Sequence, residues 1–307
     1  MDNFILLTGG TGFIGSQVLK NLLEKNEKVL VLKRPTSNTW RINSLIEKYS
    51  GNVEFINSKN IDDAFLNYNI EGIFHLATYY TKFHKSNDIE DMISSNVTFP
   101  TTLLENSINH DVKFFLNTGS FIEYSLNQLP ITEDSKIVPS NLYATTKVAF
   151  ENILKFYCNE YDLKGCSLKL TNSYGPMDDK SKIIPYLISN TVQKKKIIIQ
   201  SSSREMDFVF VDDIAKAFIK AKENINKIND YDCFNIASGE SNTIKSIYEK
   251  VKDLIGATDV EFHESGMNKV KADNSKAKNV LGWNLLTSLD EGLKITTEYY
   301  CEKYNRI

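Results

Sequence analysis

The sequence predicts an α/β fold, a doubly wound parallel sheet with a smaller, partly interleaved α/β lobe toward the C-terminal end. Three observations carry that expectation. Short β-rich runs alternate with helical patterns over the first two-thirds of the chain. A glycine-rich turn joins the first such run to the first helix. After Tyr174-Gly175-Pro176 the alternation loses its regularity.

Residues 4–7 form a continuous apolar run, as a strand covered on both faces requires. Thr8-Gly9-Gly10-Thr11-Gly12-Phe13-Ile14-Gly15 follows, and then Val18, Leu19, Leu22 and Leu23 recur at helical spacing. The stretches 28–32, 53–56, 72–76, 113–117 and 165–170 read as five more strands with helices between them. Right-handed crossovers make that a doubly wound sheet whose ligands lie beyond the carboxyl ends of the strands. Beyond this come a helix at 183–192, a strand near Ile197, a strand–helix unit at 208–220, and helices near 243–255 and 288–300. The expected division is a dinucleotide-binding unit of 1–173 plus 208–237 and a substrate lobe of 174–207 plus 238–307.

The composition is that of an ordinary globular chain: 307 residues, 41% hydrophobic and 24% charged, with a formal net charge of −3. No basic surplus suggests a nucleic-acid partner. No apolar stretch approaches the roughly 20 residues that span a bilayer, and the N-terminus enters a strand without a signal-peptide pattern. A cytoplasmic protein is expected. Cys158, Cys166, Cys233 and Cys301 lack metal-ligand spacing and read as free thiols. His75, His84, His110 and His263 are too dispersed for a metal site, so none is expected.

The glycine turn after the first strand is the layout that holds a dinucleotide pyrophosphate at a helix N-terminus. Gly9 makes the tight turn, Gly12 admits the phosphate to the backbone, and Gly15 lets the helix pack closely. In such folds a carboxylate at the end of the second strand receives the NAD ribose, whereas a cation meets the 2′-phosphate of NADP. Here that strand ends in Lys33-Arg34, followed by the hydroxyls of Thr36 and Ser37. NADP(H) is therefore preferred, with NAD(H) possible. Asn60, and after it Asp62, would stand beside the adenine at the end of the third strand. The full set of expected cofactor contacts is Gly9, Thr11, Gly12, Phe13, Ile14, Gly15, Lys33, Arg34, Ser37, Asn60, Ile61, Leu76, Ala77, Thr78, Asn96 and Lys147.

Tyr143 and Lys147 lie four residues apart at a predicted helix start, on one helix face. A phenol titrating at about 10 is a poor acid–base group at neutral pH, and a neighbouring ammonium can lower that value.

With these residues in place the chain resembles the extended short-chain dehydrogenase/reductase family, in its nucleotide-sugar branch, a Rossmann-type fold. The resemblance spans nearly the whole length. It is carried by Gly9 to Gly15, His75-Leu76-Ala77-Thr78, Asn96-Val97, Tyr143 with Lys147, Asn172-Ser173-Tyr174-Gly175-Pro176, Asp207-Phe208-Val209-Phe210-Val211-Asp212-Asp213 and Leu281-Gly282-Trp283. It implies that Tyr143 exchanges a proton with a sugar oxygen while hydride passes to or from the nicotinamide, and that Lys147 holds the ribose. A Ser or Thr four residues before a Tyr-Gly pair is also implied; Ser120 takes that place, with Thr118 as the alternative, although Ser125 stands where the glycine is usual. Tyr79, Ser120, Tyr143, Asn172, Tyr186 and Arg204 are the expected substrate contacts. Arg204 is included because Met206 occupies the position, just before Asp207-Phe208, where the family often has an arginine.

Sugar 4,6-dehydratases of the family carry acids directly after the catalytic Ser or Thr, and here Phe121 and Ile122 follow Ser120. A 4-epimerase keeps NAD bound and usually has the acid that Lys33-Arg34 replaces. A 4-ketoreductase using NADPH agrees with the basic pair, and several segments are similar to the CDP-abequose and CDP-paratose synthases, reductases of CDP-linked 4-ketohexoses. The alternatives are an NAD-dependent 4-epimerase and a non-catalytic dinucleotide sensor. The resemblance further implies a homodimer in which helices 96–109 and 143–161 form a four-helix bundle.

Overall fold

The computed structural model describes residues 2–264 and 269–305. In chain order its elements begin with β1 (Asn3–Thr8), α1 (Phe13–Glu24), β2 (Lys28–Lys33), α2 (Asn43–Lys48), β3 (Val53–Asn57), α3 (Ile61–Asn67) and β4 (Asn69–His75). There follow α4 (Asp88–Ile93), a π-helical turn at Ser94–Thr98, α5 (Phe99–Asn109), β5 (Phe114–Ser120), a 3₁₀ turn at Phe121–Glu123, α6 (Leu142–Glu160) and β6 (Lys164–Leu170). The remainder comprises β7 (Asn172–Tyr174), α7 (Ile183–Val192), β8 (Ile197–Ile199), β9 (Glu205–Met206), β10 (Phe208–Phe210), α8 (Val211–Glu223), β11 (Tyr231–Ile236), β12 (Asn242–Thr243), α9 (Ile244–Ile255), β13 (Val260–Phe262) and α10 (Leu289–Asn305).

The central sheet has seven strands in the order β11-β6-β5-β4-β1-β2-β3, every pair parallel. This is the expected doubly wound sheet with one strand more than the six read from the sequence. The extra strand, β11, is an edge strand whose first three residues are only half-buried. Its alternating Tyr231-Asp232-Cys233-Phe234 pattern lacks the continuous apolar run that marks the central strands. Two boundaries also move. β4 starts at Asn69, and β5 continues through Thr118 and Gly119 to Ser120, pairing Ser120 with Leu170.

Two apolar layers sandwich the sheet. On one face α1 and α8 pack over Ile5, Leu7, Val29 and Val31, and Trp283 is buried in the same cluster, its indole N–H donating to the Asp213 carbonyl at 2.9 Å. On the other face α3, α5 and α6 cover Leu6, Leu30, Ile73 and Phe115. Each fully buried side chain of this size contributes about 1.5–3 kcal/mol. A third cluster, formed by α7, α9 and α10 around Tyr174, Phe208 and Phe210, lies outside the sheet. Gly292 seats α10 on Tyr174, since a Cβ there would lie 2.1 Å from the Tyr174 hydroxyl oxygen.

Asp207 ties the sheet to that third cluster. Fully buried, it accepts from Ser238 N and Oγ at 2.8 Å each, from Thr171 Oγ1 at 3.2 Å, and from Gly239 N and Ala272 N at 3.2 and 3.3 Å. A buried carboxylate is tolerated when donors surround it. Among the described residues no helix is long and apolar enough to cross a membrane, and no cluster of His, Cys, Asp and Glu could hold a metal ion.

Candidate active site

The glycine turn closes on itself at the carboxyl end of β1. Gly9 has φ +71°, and a Cβ on it would sit 2.6 Å from Ala77 N, so the turn lies directly on the loop leaving β4. A Cβ on Gly15 would sit 2.1 Å from Gly9 O. Gly12 differs: its Cβ would touch only Gly9 O, at 3.1 Å. Gly12 is also the N-cap of α1, which has no capping side chain and no acid in its first turn. The amides at Phe13 and Ile14 therefore form an uncapped, electropositive helix end. Lys182, unnoticed in the sequence, adds a cation 5.3 Å from the Phe13 ring and pairs with buried Asp178 at 3.2 Å.

The segment leaving β2 carries no carboxylate between Lys33 and Ile46. Lys33 Nζ stands 5.9 Å over the Phe55 ring, and exposed Arg34 accepts the Ser37 amide in a turn at 3.0 Å. Arg41 is a third cation here that the sequence did not single out. Its Nε donates to Met177 O at 3.1 Å and its guanidinium lies 4.5 Å over Trp40, which bridges the β2 loop to the chain after Pro176. Asn60 and Ile61 begin α3 across the same end of the sheet, Asn60 at its N-cap.

Thr8 and His75 lock the loop after β4. Thr8 Oγ1 accepts the amides of Leu76 at 3.2 Å and Ala77 at 3.1 Å, so its own proton goes to His75 Nδ1, 2.8 Å away. His75 is buried, and burial first and the charge of Lys147 second hold its pKa well below the usual histidine range. The ring is thus neutral, with its proton on Nε2 facing Phe99, Phe115 and Phe150. It has no catalytic geometry; it shapes the loop.

Asn96 finishes the lock from the π-helical turn. Its oxygen accepts from Thr78 Oγ1 at 3.0 Å and Tyr79 N at 2.7 Å, and its amide donates to Tyr79 O at 2.9 Å and Thr146 Oγ1 at 3.1 Å. All four valences are used inside the protein. The side chain binds the β4 loop to α6, the helix that bears Tyr143 and Lys147.

Asn141 caps α6 by accepting Ala144 N at 2.8 Å, and the helix presents Tyr143 and Lys147 one turn apart, both buried. Tyr143 packs edge-on against Tyr80 with ring centroids 4.9 Å apart. Burial raises its pKa, the Thr78 hydroxyl counters that, and the negative charge of Glu123 reinforces it. The sequence reading expected Lys147 to lower the phenol. In the free protein burial dominates instead, and the phenol stays protonated. Lys147 makes no hydrogen bond or ion pair with any described residue, and burial lowers its pKa to about 8 against the opposing charge of Glu123. Thr118 spends its hydroxyl proton on His75 O at 3.0 Å. Ser120 forms a capping box with Glu123, its N–H donating to Glu123 Oε1 at 2.6 Å, and no described residue accepts its hydroxyl proton. Of the two candidates, Ser120 has the free donor.

A family model described as NAD dependent epimerase/dehydratase matches residues 5–237 of this chain. The chain belongs to that family. It is an NAD(P)-dependent oxidoreductase family whose named members modify nucleotide-linked sugars. CDP-abequose synthase of Salmonella muenchen is 28% identical, covering 94% of this chain and 95% of its own. dTDP-4-dehydro-6-deoxyglucose reductase of Escherichia coli is also 28% identical, with 95% of each chain covered. Among solved structures, UDP-glucose 4-epimerase of Thermotoga maritima with UDP-glucose superposes with a TM-score of 0.87 at 27% identity over 98% of this chain and 99% of that one.

In this epimerase/dehydratase chain the expected substrate contacts fall into two groups. Ser120, Tyr143 and Asn172 lie at carboxyl ends of strands or on α6; Asn172 Nδ2 donates to Asp207 O at 2.9 Å, and its side-chain oxygen has no donor among the described residues. Tyr79 instead hydrogen-bonds Asp88 at 2.7 Å, and its neighbour Tyr80 is the one that meets Tyr143. The Tyr186 hydroxyl accepts Ile198 N at 3.2 Å, which engages it with β8. Arg204 lies before β9, with its Nε buried and unpartnered. Met206 pairs with Asn242 in the short β9–β12 ladder.

Proposed function

We propose that the protein reduces the C4 ketone of a nucleotide-linked deoxy- or dideoxyhexose with NADPH, in the making of a surface-polysaccharide sugar. The observation that carries this reading is the β2 loop, with Lys33, Arg34 and Arg41 and no acid to receive an NAD ribose. The glycine turn fits a dinucleotide diphosphate, because Gly9 and Gly15 have no room for a Cβ while Gly12 and the uncapped start of α1 face outward. The nicotinamide, when bound, supplies the hydride.

The chain's own groups do the rest. Tyr143 keeps its proton because it is buried, so it can deliver that proton to the carbonyl oxygen as charge develops there. Ser120 donates its free hydroxyl to the same oxygen, and the Lys147 ammonium stabilises the phenolate left behind. We assign the dinucleotide to 1–173 plus 208–237, where β11 completes the sheet, and the sugar nucleotide to 174–207 plus 238–307, where α7, α9 and α10 share a core. We also assign a homodimer through helices 96–109 and 143–161, supported by exposed Phe156 on the second of them. A monomer in sedimentation would remove that assignment.

The reaction is tested by turnover of CDP-, dTDP-, UDP- and GDP-linked 4-ketosugars with NADPH and with NADH. Arg34→Asp is expected to reduce the preference for NADPH over NADH by about 30-fold or more, the loss of a charge-assisted bond to the 2′-phosphate. An unchanged preference would assign cofactor choice to other residues. Interconversion of UDP-sugars without added reductant would make the protein a 4-epimerase, and dinucleotide binding without any turnover would make it a sensor.

A further inference from the structure

Behind Tyr143 and Lys147 runs a line of buried charge that the proposed chemistry does not use. Glu123 is 0% exposed; Oε1 takes the Ser120 N–H, and Oε2 lies 3.0 Å from Lys169 Nζ on β6. Lys169, 1% exposed, sits 4.5 Å over the Tyr124 ring and meets Glu151 of α6 at 2.8 Å. Glu151 pairs at 2.8 Å with Lys155, whose side chain is 41% exposed. Lys147, Glu151 and Lys155 thus form one stripe along α6 at i, i+4 spacing. Gly119 leaves room for the cluster, since a Cβ there would lie 3.0 Å from Lys169 Cγ and 3.2 Å from Glu123 Oε1.

With Glu123 and Glu151 ionised and Lys169 protonated, the interior set is neutral only when Lys147 is charged. Loss of one carboxylate would leave two ammonium groups sharing the other in a low-dielectric site. Lys147, the one without an ion-pair partner, would then be the group that gives up its proton.

We propose that Glu123 is a positioning residue of this active site, its buried carboxylate holding Lys147 in the ammonium form and fixing the backbone of Ser120. The proposal rests on the roles assigned above to Tyr143, Lys147 and Ser120. Glu123 itself is pushed up to about 7, by burial first, with Lys169 opposing and Glu151 reinforcing. Tyr143, Lys147 and Glu151 of α6, Lys169 of β6 and Tyr124 beside the 3₁₀ turn are the titratable groups that interact with it. The charge of Lys147 also acts on His75 of β4, that of Lys169 on Cys233 of β11, and that of Glu133 on Tyr124. An ammonium is present below its pKa and lost as pH rises through it. Removing the Glu123 charge therefore moves the loss of the Lys147 proton to lower pH.

The test titrates Lys147 by carbon NMR of ε-labelled lysine in the full-length free protein, with Lys147→Arg giving the assignment. Glu123→Gln preserves shape and an acceptor for Ser120 N–H. It should lower the Lys147 midpoint by about one unit or more, and the alkaline limb of the turnover profile should move the same way. Glu123→Met removes the same charge with an apolar side chain of similar size and leaves Lys169 paired with Glu151, so it should lower the midpoint likewise and keeps the test decisive if Glu123→Gln does not fold. A Lys147 midpoint unmoved in either folded variant overturns the proposal. Wild-type protein that titrates as described yet turns over no ketosugar nucleotide would overturn the reductase reading and leave this one standing.

Discussion

Tyr143→Phe should lower turnover of the preferred 4-ketosugar nucleotide by about 10²–10⁴-fold, the range attached to a positioned proton donor. Cofactor affinity should stay within a few-fold, because the cradle at Gly9, Gly12 and Gly15 is untouched. Stability should also hold. The ring that packs on Tyr80 is retained in phenylalanine, and the hydroxyl's partner among the described residues, Thr78, is itself exposed and still bonded to Asn96. Steady-state kinetics beside a dinucleotide-binding titration separates the effects. A variant that kept wild-type kcat would remove Tyr143 from the chemistry and leave Ser120 as the proton donor to examine.

Gly15→Val should fail at an earlier step. Even the first added carbon would fall 2.1 Å from Gly9 O and 2.7 Å from Gly9 C, and both are backbone atoms of a turn already held against Ala77 N. No side-chain rotation relieves that contact, so α1 must slide away from β1 or the turn must open. Overpacking against unyielding neighbours costs about 3 kcal/mol or more, and the turn that opens is the one fitted to the diphosphate. The expected result is a lower midpoint in denaturant together with loss of dinucleotide binding. Gly12→Ala is the contrasting control: its Cβ would meet only Gly9 O at 3.1 Å, so it should fold and lose affinity alone. Equal binding by Gly15→Val and wild type would show that the diphosphate lies elsewhere.

Much of this was legible because it is local. The glycine turn, the strand before it, and the Tyr143–Lys147 pair depend on neighbours in the chain, and the structure has strand, turn and helix where the sequence put them. What escaped depends on contacts between distant segments. Glu123 in Phe121-Ile122-Glu123-Tyr124 reads as a surface residue until Lys169, on the next strand of the sheet, is found beside it. The choice between Thr118 and Ser120 turned on a hydroxyl proton given to His75 O across strands. Arg41 and Lys182 are ordinary loop cations in sequence and gain meaning only where the loop after β2 and the start of α7 approach α1 and Met177. Tyr79 and Tyr80 could not be told apart, since Asp88 decides which of them turns aside.

The π-helical turn at Ser94–Thr98 holds a residue that the flanking helices do not need for their own phase. A π turn accommodates one residue more than a plain α-helix, which is how Asn96 reaches Thr78, Tyr79 and Thr146 while Met92 before it and Leu103 after it both stay buried. Deleting one residue between Ile93 and Phe99 would let the turn revert to plain α-helix with Met92 and Leu103 still in phase, while Asn96 would lose the bulged position from which it reaches Thr78, Tyr79 and Thr146. In chains descended from this one the window can shorten by a residue and keep both flanking faces, at the expense of the four bonds Asn96 makes from it.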